Sequence, residues 1–468
     1  MKLAFVVPRY GADLSGGREH QCRLIAERLA GTHHVEVLTT CASDSRTWTN
    51  VHAEGADRLR GVTVRRFATG RPGDPAAVRR AADRIFFGRH SPQDELEYLR
   101  QQGPWAPGLV EHLERQHAQY DVLIFFTSLH APAVLGARVA PYKSILVPAV
   151  QDGPELQLGV FRELFSSAAG FAWETDDERR LVSSRFHLRS LVDDVVGCGV
   201  DLPEGEVSVD GGDWRLVGPP DREPLPPHLE GAANAFRRRH RLYGSFVLHA
   251  GRIEPGEGCE ELLEYYQQYL RDGGDARLVL MGTKLMPLPE DPGLRFGGTL
   301  PDEERAHSLE AATVVVLPSP DDRQLMLALE ALSVGTPVLV NARSTTVVQH
   351  CRRSQAGLFY ADRWEFSEAL KLLTHDARLR SALGRNGRTY VSRHYRWPTV
   401  LSKYERLCEQ LRGSVRNGRT EPPEPDRTRA VVKPREPEGD RRDRGRGRFR
   451  ERDRGRHDRS RHRRRERR

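Results

Sequence analysis

Apolar runs alternate with amphipathic stretches along most of this chain, the pattern of strands and helices taking turns. Leu3–Val7 reads as a strand, followed by a glycine-containing loop, a helix from about Arg18 to Ala30, and a strand at Val35–Thr39. The series continues at Val62–Phe67, Val122–Phe126, Ser144–Val147 and Gly170–Trp173. A second series opens at Phe246–Ala250, with a helix from Cys259 to Leu270 and strands at Arg277–Met281 and Leu294–Gly297. It goes on with a helix from Asp302, a strand at Thr313–Leu317, and late helices at Asp376–Tyr395 and Pro398–Leu411. Such alternation predicts an α/β fold built from doubly wound parallel sheets.

Two series predict two Rossmann-like domains facing each other across a cleft. The boundaries read as 1–200 for the first domain, 201–240 for a linker or insertion, 241–396 for the second domain, 397–412 for a closing helix and 413–468 for a tail. The stretch Pro203–Arg239 is placed in the linker because it is rich in Gly, Pro and charge. In open sheets of this kind ligands bind outside the carboxyl ends of the strands. Every motif below falls there.

The most informative segment is PSPDDRQLMLALEALSVGTPVLVN, Pro318–Asn341. It reads as a polar loop after a strand, then a helix with Leu325, Leu329 and Leu332 at helical spacing. Gly335 supplies the left-handed residue that ends the helix, Pro337 cannot continue it, and Val338–Val340 begins the next strand. Asp322 stands in the loop and Glu330 about two turns along the helix. This unit resembles the signature of GT-B glycosyltransferases of family 4, which carry two acids at this separation. The resemblance implies that the helix start faces a nucleotide-sugar diphosphate, that Asp322 serves the donor sugar and that Glu330 holds the ribose.

FVLHAGRIEPGEGC, Phe246–Cys259, is similar to the same family's second donor motif, in which an Arg and a Lys neutralise the diphosphate. Arg252 matches the arginine. Glu257 stands at the lysine position, with Gly258 after it as the family has it. GT-B enzymes generally use no metal, so the resemblance implies no cofactor, and side-chain cations must stabilise the leaving group. Arg323, one residue after Asp322, is placed to substitute for the missing lysine with a bidentate grip.

In the first series, FVVPRYGADLSGGREHQ puts Gly16 and Gly17 at a helix start, where backbone N–H groups can approach an anion or sugar hydroxyls. The paired glycine resembles that of GT-B enzymes on the acceptor side. VPAVQDGPE carries Gln151 and Asp152 at a strand end where related sequences often have His-Asp. His130, after Val122–Phe126, is a second candidate to hydrogen-bond the transferred sugar. The implied activity is transfer of a sugar from a nucleotide-diphosphate sugar to a glycan, lipid-linked or small-molecule acceptor, with retention of configuration. Because Glu257, Asp322 and Gln151 depart from the family pattern, the alternative is an impaired pseudo-glycosyltransferase serving as a binding or regulatory subunit.

Charge adds one distinction. The 468 residues carry a net +8, but Gly413–Arg468 holds 22 Lys+Arg against 11 Asp+Glu, leaving residues 1–412 at about −3. The tail, with Phe449 as its one aromatic residue, cannot bury enough apolar surface to order itself. Its interspersed acids and lack of stacking groups argue against nucleic acid as a partner. Six scattered cysteines without metal-like spacing suit free thiols in a reducing cytosol. The N-terminal apolar run is too short for a signal peptide, and no stretch approaches the ~20 apolar residues of a membrane span. The expectation is a cytoplasmic protein with room for peripheral contact at the inner membrane surface.

Overall fold

A computed structural model describes residues 1–12, 17–45, 47–70, 74–202, 227–299 and 301–418, with backbone only for 227–230, 302, 303 and 322. Gly16, most of the expected linker and nearly all of the tail lie outside the described residues. So does the Asp322 side chain.

The first half contains an eight-stranded sheet of β1 (Lys2–Val6), β2 (His34–Thr40), β3 (Gly55–Leu59), β4 (Val62–Phe67), β5 (Val122–Phe126), β6 (Ser144–Val147), β7 (Gly170–Trp173) and β8 (Val192–Val195). Its order is β3-β4-β2-β1-β5-β6-β7-β8, parallel except for β3 against β4. The second half contains a six-stranded, all-parallel sheet of β9 (Phe246–Ile253), β10 (Arg277–Lys284), β11 (Leu294–Phe296), β12 (Val314–Leu317), β13 (Val338–Asn341) and β14 (Gly357–Tyr360). Its order is β11-β10-β9-β12-β13-β14. Helices cover both faces of each sheet, so the central strands are buried on both sides and read as unbroken apolar runs.

Each sheet reverses its winding once. In the first half the chain runs outward from β1 to β4, then returns to place β5 on the other side of β1. In the second half the same reversal separates β9 from β12. At such a switch point two adjacent strands send their following loops in opposite directions and leave a crevice. The architecture expected from the sequence is present, and the crevices are its ligand-ready places.

Some elements depart from the expectation. Residues 227–239, read as linker, form helix Pro227–Arg239, and its Phe236 is buried in the second half's core. Gly231 and the charged flanks hid a helix anchored by a single aromatic side chain. Edge strand β3 is missed because GADRL is almost wholly exposed and carries no apolar period. Strand β8, VDDV, is likewise too polar to stand out. The closing helix Trp397–Arg416 buries Trp397, Val400, Tyr404, Leu407, Cys408 and Leu411 against the first half's sheet. Among the described residues no helix is long and apolar enough to cross a membrane, and all six cysteines are buried free thiols.

Candidate functional site

The second half's switch point brings two distant loops together. The loop after β9, Glu254–Gly258, and the loop after β12, Pro318–Gln324, meet although more than 60 residues separate them: Arg323 Nη1 lies 3.4 Å from Glu257 Oε1. Gly258 makes the approach possible. Its φ is +77°, and a Cβ there would lie 2.1 Å from the carbonyl oxygen of Pro318, inside any allowed contact. Helix Cys259–Arg271 starts directly from this glycine without a side-chain cap.

The signature helix is Leu325–Ser333, preceded by a 3₁₀ turn at Asp322–Gln324. Leu325, Leu329 and Leu332 are buried, and Gly335 adopts φ +82°, as the sequence pattern requires. Among the described side chains none caps the helix start, which continues directly from the 3₁₀ turn. Glu330 accepts a hydrogen bond from Arg305 Nε at 2.7 Å. Arg305 was not singled out in the sequence, because its helix, Asp302–Ala311, carries no motif.

The cationic side chains here are all engaged. Arg323 is bound by Asp321, with Nε–Oδ2 at 2.6 Å and Nη2–Oδ2 at 2.5 Å, and it also faces Glu257. Arg252, at the end of β9 and about half exposed, pairs with Glu254 at 2.9 Å. Among the described side chains two guanidinium groups thus meet three carboxylates. Glu257 is buried, and Gln324 Nε2 donates to its Oε2 at 3.5 Å. Burial pushes the Glu257 carboxyl above its ordinary value, and the attraction of Arg323 offsets only part of that rise. The Arg323 guanidinium, expected from the sequence to stand in for the missing lysine, is thus held by Asp321 and Glu257 of its own chain.

The first half's switch point is built differently. Gly17 opens helix Gly17–Leu29 with φ +73°, and the nearest atom a Cβ would meet is Glu19 Oε2 at 3.6 Å. Arg9 and Glu19 pair across this loop at 2.8 Å. His130 follows β5 at the start of helix Ala131–Val139 and lies edge-on to Trp48 with ring centroids 5.8 Å apart. Its Nδ1 has no hydrogen-bond partner among the described residues. Burial pulls its ring below the ordinary imidazole value, and Glu19 offsets this in part, so the neutral ring can hydrogen-bond a hydroxyl. Trp48 escaped the sequence reading, because nothing local in ASDSRTWTN marks it as reaching a remote histidine.

Between the halves lies a cavity of about 360 Å³, lined by Arg18, Gln151 and Asp152 on one side and by Asp321, Leu325 and Arg343 on the other. It brings Gln151 and Asp152 opposite the signature loop. Asp152 itself is exposed and paired with Arg185 at 2.7 Å, while Arg343 is held by Glu261 at 2.6 Å. Arg18 forms an ion pair with Glu174 across the floor of the same cavity. These pairs join residues far apart in the chain, which no local motif announces. Among the described residues, no group of three or more His, Cys, Asp or Glu side chains is arranged to hold a metal ion.

Residues 234–390 match the family model described as glycosyl transferases group 1. A stretch of 170 residues is 28% identical to the sulfoquinovosyl transferase of Arabidopsis thaliana, covering 34% of this chain and 32% of that protein. Another of 192 residues is 27% identical to a D-inositol 3-phosphate glycosyltransferase of Segniliparus rotundus, covering 38% of this chain and 41% of that one. The chain thus spans well under half the length of these curated relatives. Among solved structures, an Anabaena protein in complex with UDP-glucose aligns with a TM-score of 0.61 at 14% identity, over 88% of this chain and 100% of its own. The sucrose-phosphate synthase of Thermosynechococcus elongatus aligns with a TM-score of 0.60 at 17% identity, over 88% of this chain and 99% of its own. At these identities the structural matches establish the fold. Residues 234–390 carry a glycosyl transferases group 1 domain, within a chain of GT-B fold.

Proposed function

We propose that this chain is a retaining glycosyltransferase that moves a sugar from a nucleotide-diphosphate sugar to an acceptor. The observation that carries the reading is the meeting of the Glu254–Gly258 and Pro318–Gln324 loops beside the start of helix Leu325–Ser333. The positive end of that helix and two guanidinium groups converge there, the chemistry a leaving diphosphate needs. That an Anabaena protein of the same fold was solved with UDP-glucose, and that sequence relatives are glycosyltransferases, supports the same donor class.

In this reading Arg252 and Arg323 hold the diphosphate, Asp322 serves the donor sugar and Glu330, oriented by Arg305, holds the ribose. His130 hydrogen-bonds the transferred sugar as a neutral ring. Gly16, Gly17, Gln151 and Asp152 form the acceptor side of the cleft. Arg323 exchanges Asp321 and Glu257 for phosphate oxygens as the donor binds, so part of the binding energy goes into breaking those pairs.

The test is calorimetric titration of UDP and GDP into the full chain, followed by turnover assays with the sugar donors of whichever nucleotide binds. Micromolar binding and an α-configured product from an α-configured donor are the expected results. Binding without turnover on any acceptor class would leave the pseudo-glycosyltransferase. Absence of nucleotide binding would remove the donor site altogether.

A further inference from the structure

A second cavity, of about 310 Å³, lies where the chain passes between the halves. Two crossings run side by side there, joined by a bridge between Val200 and Arg396. They pack closely: a Cβ on Gly199 would collide with the Trp397 ring at 2.3 Å, and one on Gly197 would press on Tyr395 at 3.0 Å. The cavity walls come from three places. Val195 and Gly197 belong to the first half, Arg353 and His394 to helices Thr345–Ser354 and Ala377–His394 of the second, and Lys403 to the closing helix.

The chemistry of the lining has one sign. Lys403 is half-buried and donates from Nζ to the Val195 carbonyl at 2.8 Å, and among the described residues no carboxylate pairs with it. Arg353 reaches Asp176 at 3.7 Å, a long ion pair. Tyr390 and Tyr395 add hydroxyls 3.3 Å apart, and Tyr390 also contacts His350 Nδ1 at 2.9 Å. Partial burial, and after it the repulsion of Lys403 and Arg393, holds the His394 ring below the ordinary imidazole value, in keeping with the cationic lining. The volume lies at the small end of ligand cavities, roughly 300–1,000 Å³, and leaves room beside a phosphate for a small organic group.

We propose that this cavity binds a small phosphate monoester, its phosphate held by Arg353 and Lys403 with the Tyr395 hydroxyl and His394 as further partners. The site is separate from the donor cleft and stands whether or not the sugar-transfer reading holds. Because its walls belong to both halves and to the closing helix, an occupant favours one relative setting of the halves over another.

The test needs a local reporter, since the arginine-rich tail and the donor cleft also attract phosphate. The full chain is labelled with ¹³C-histidine, and the His394 ring signal is assigned by its disappearance in His394→Gln. Inorganic phosphate and glucose 6-phosphate are then titrated at pH 7. The expected result is a saturable shift of that signal toward the protonated ring, with the ester binding more tightly than phosphate alone. Arg353→Met and Lys403→Met weaken the response by about tenfold or more, the loss typical of a charge-assisted contact, while Lys403→Arg retains it and Arg252→Ala leaves it unchanged. No saturable shift would overturn the site. A shift abolished by Arg252→Ala and kept in the Arg353 and Lys403 variants would place the anion in the donor cleft instead. Equal affinity for the two probes would overturn the monoester assignment.

Discussion

The two switch points use the same topology to opposite ends. In the first half the nearest described atom that a Cβ on the helix-start glycine would meet is a side-chain oxygen at 3.6 Å, and burial holds the nearby histidine below the ordinary imidazole value. In the second half the glycine is wedged against Pro318, and charged side chains pair with one another across the crevice. Among the described residues, one crevice has the ion pair Arg9–Glu19 beside its glycine. The other is closed on itself and crowded with charge. The difference shows that a shared strand order sets where a ligand goes, while the side chains on its loops set what must be displaced to admit it.

The sharpest way to break the comparison is to add one carbon to each glycine. Gly258→Ala must relieve a clash with a backbone oxygen at 2.1 Å at a positive φ, and is expected to cost about 3 kcal/mol in denaturant unfolding. Gly17→Ala meets only the left-handed φ and should cost about 1 kcal/mol. Equal losses would mean that the second loop is no more tightly held than the first.

Next comes charge. Glu257→Lys replaces a carboxylate by a cation beside the proposed diphosphate, where each close charge pair is worth about 4 kcal/mol at surface-like dielectric before salt screening. UDP or GDP affinity measured calorimetrically is expected to rise by about two powers of ten at low salt. Arg323→Ala should lower it by about tenfold, and unchanged affinity would show that Asp321 never releases the guanidinium.

The smallest effect concerns stability against pH. Burial raises the Glu257 carboxyl above its ordinary value, so the folded state holds that proton more tightly than the unfolded chain. The stability this confers is complete below the ordinary carboxylate range and is lost as pH climbs through the raised folded value. Glu257→Gln should therefore flatten the stability profile above that range and gain on the order of 1 kcal/mol or less at neutral pH. A variant whose profile tracks the wild type would assign the pH dependence to other groups.

How legible all this was follows from which forces act locally. Strands such as VLIFF at Val122–Phe126 are buried on both faces and announce themselves as apolar runs. Gly335 and Pro337 mark the end of the signature helix because backbone conformation dictates them. By contrast, helices Pro75–Phe87, Pro92–Gln102 and Pro107–Gln116 bury only a few side chains each, such as Ile85, Leu99 and Leu113, amid arginine and glutamine. Their period is too thin to detect. The site divides the same way. Glu257, Asp322 and Glu330 stand out in the sequence as candidates because each sits at a fixed offset from glycines or leucines. Asp321, Arg305, Arg18 and Trp48 earn their places from contacts between segments brought together only by strand order, which no window of sequence contains.

The closing helix has a consequence for the order of events in the cell. The first half's core is incomplete without Trp397, Val400, Tyr404, Leu407, Cys408 and Leu411, although its sheet ends at Val195. A ribosome making this chain N-terminus first must therefore synthesise the whole second half before the first can finish folding. Until then helix Gly17–Leu29 covers that face of the earliest sheet only in part, and the apolar remainder is where the nascent chain is most exposed to a chaperone.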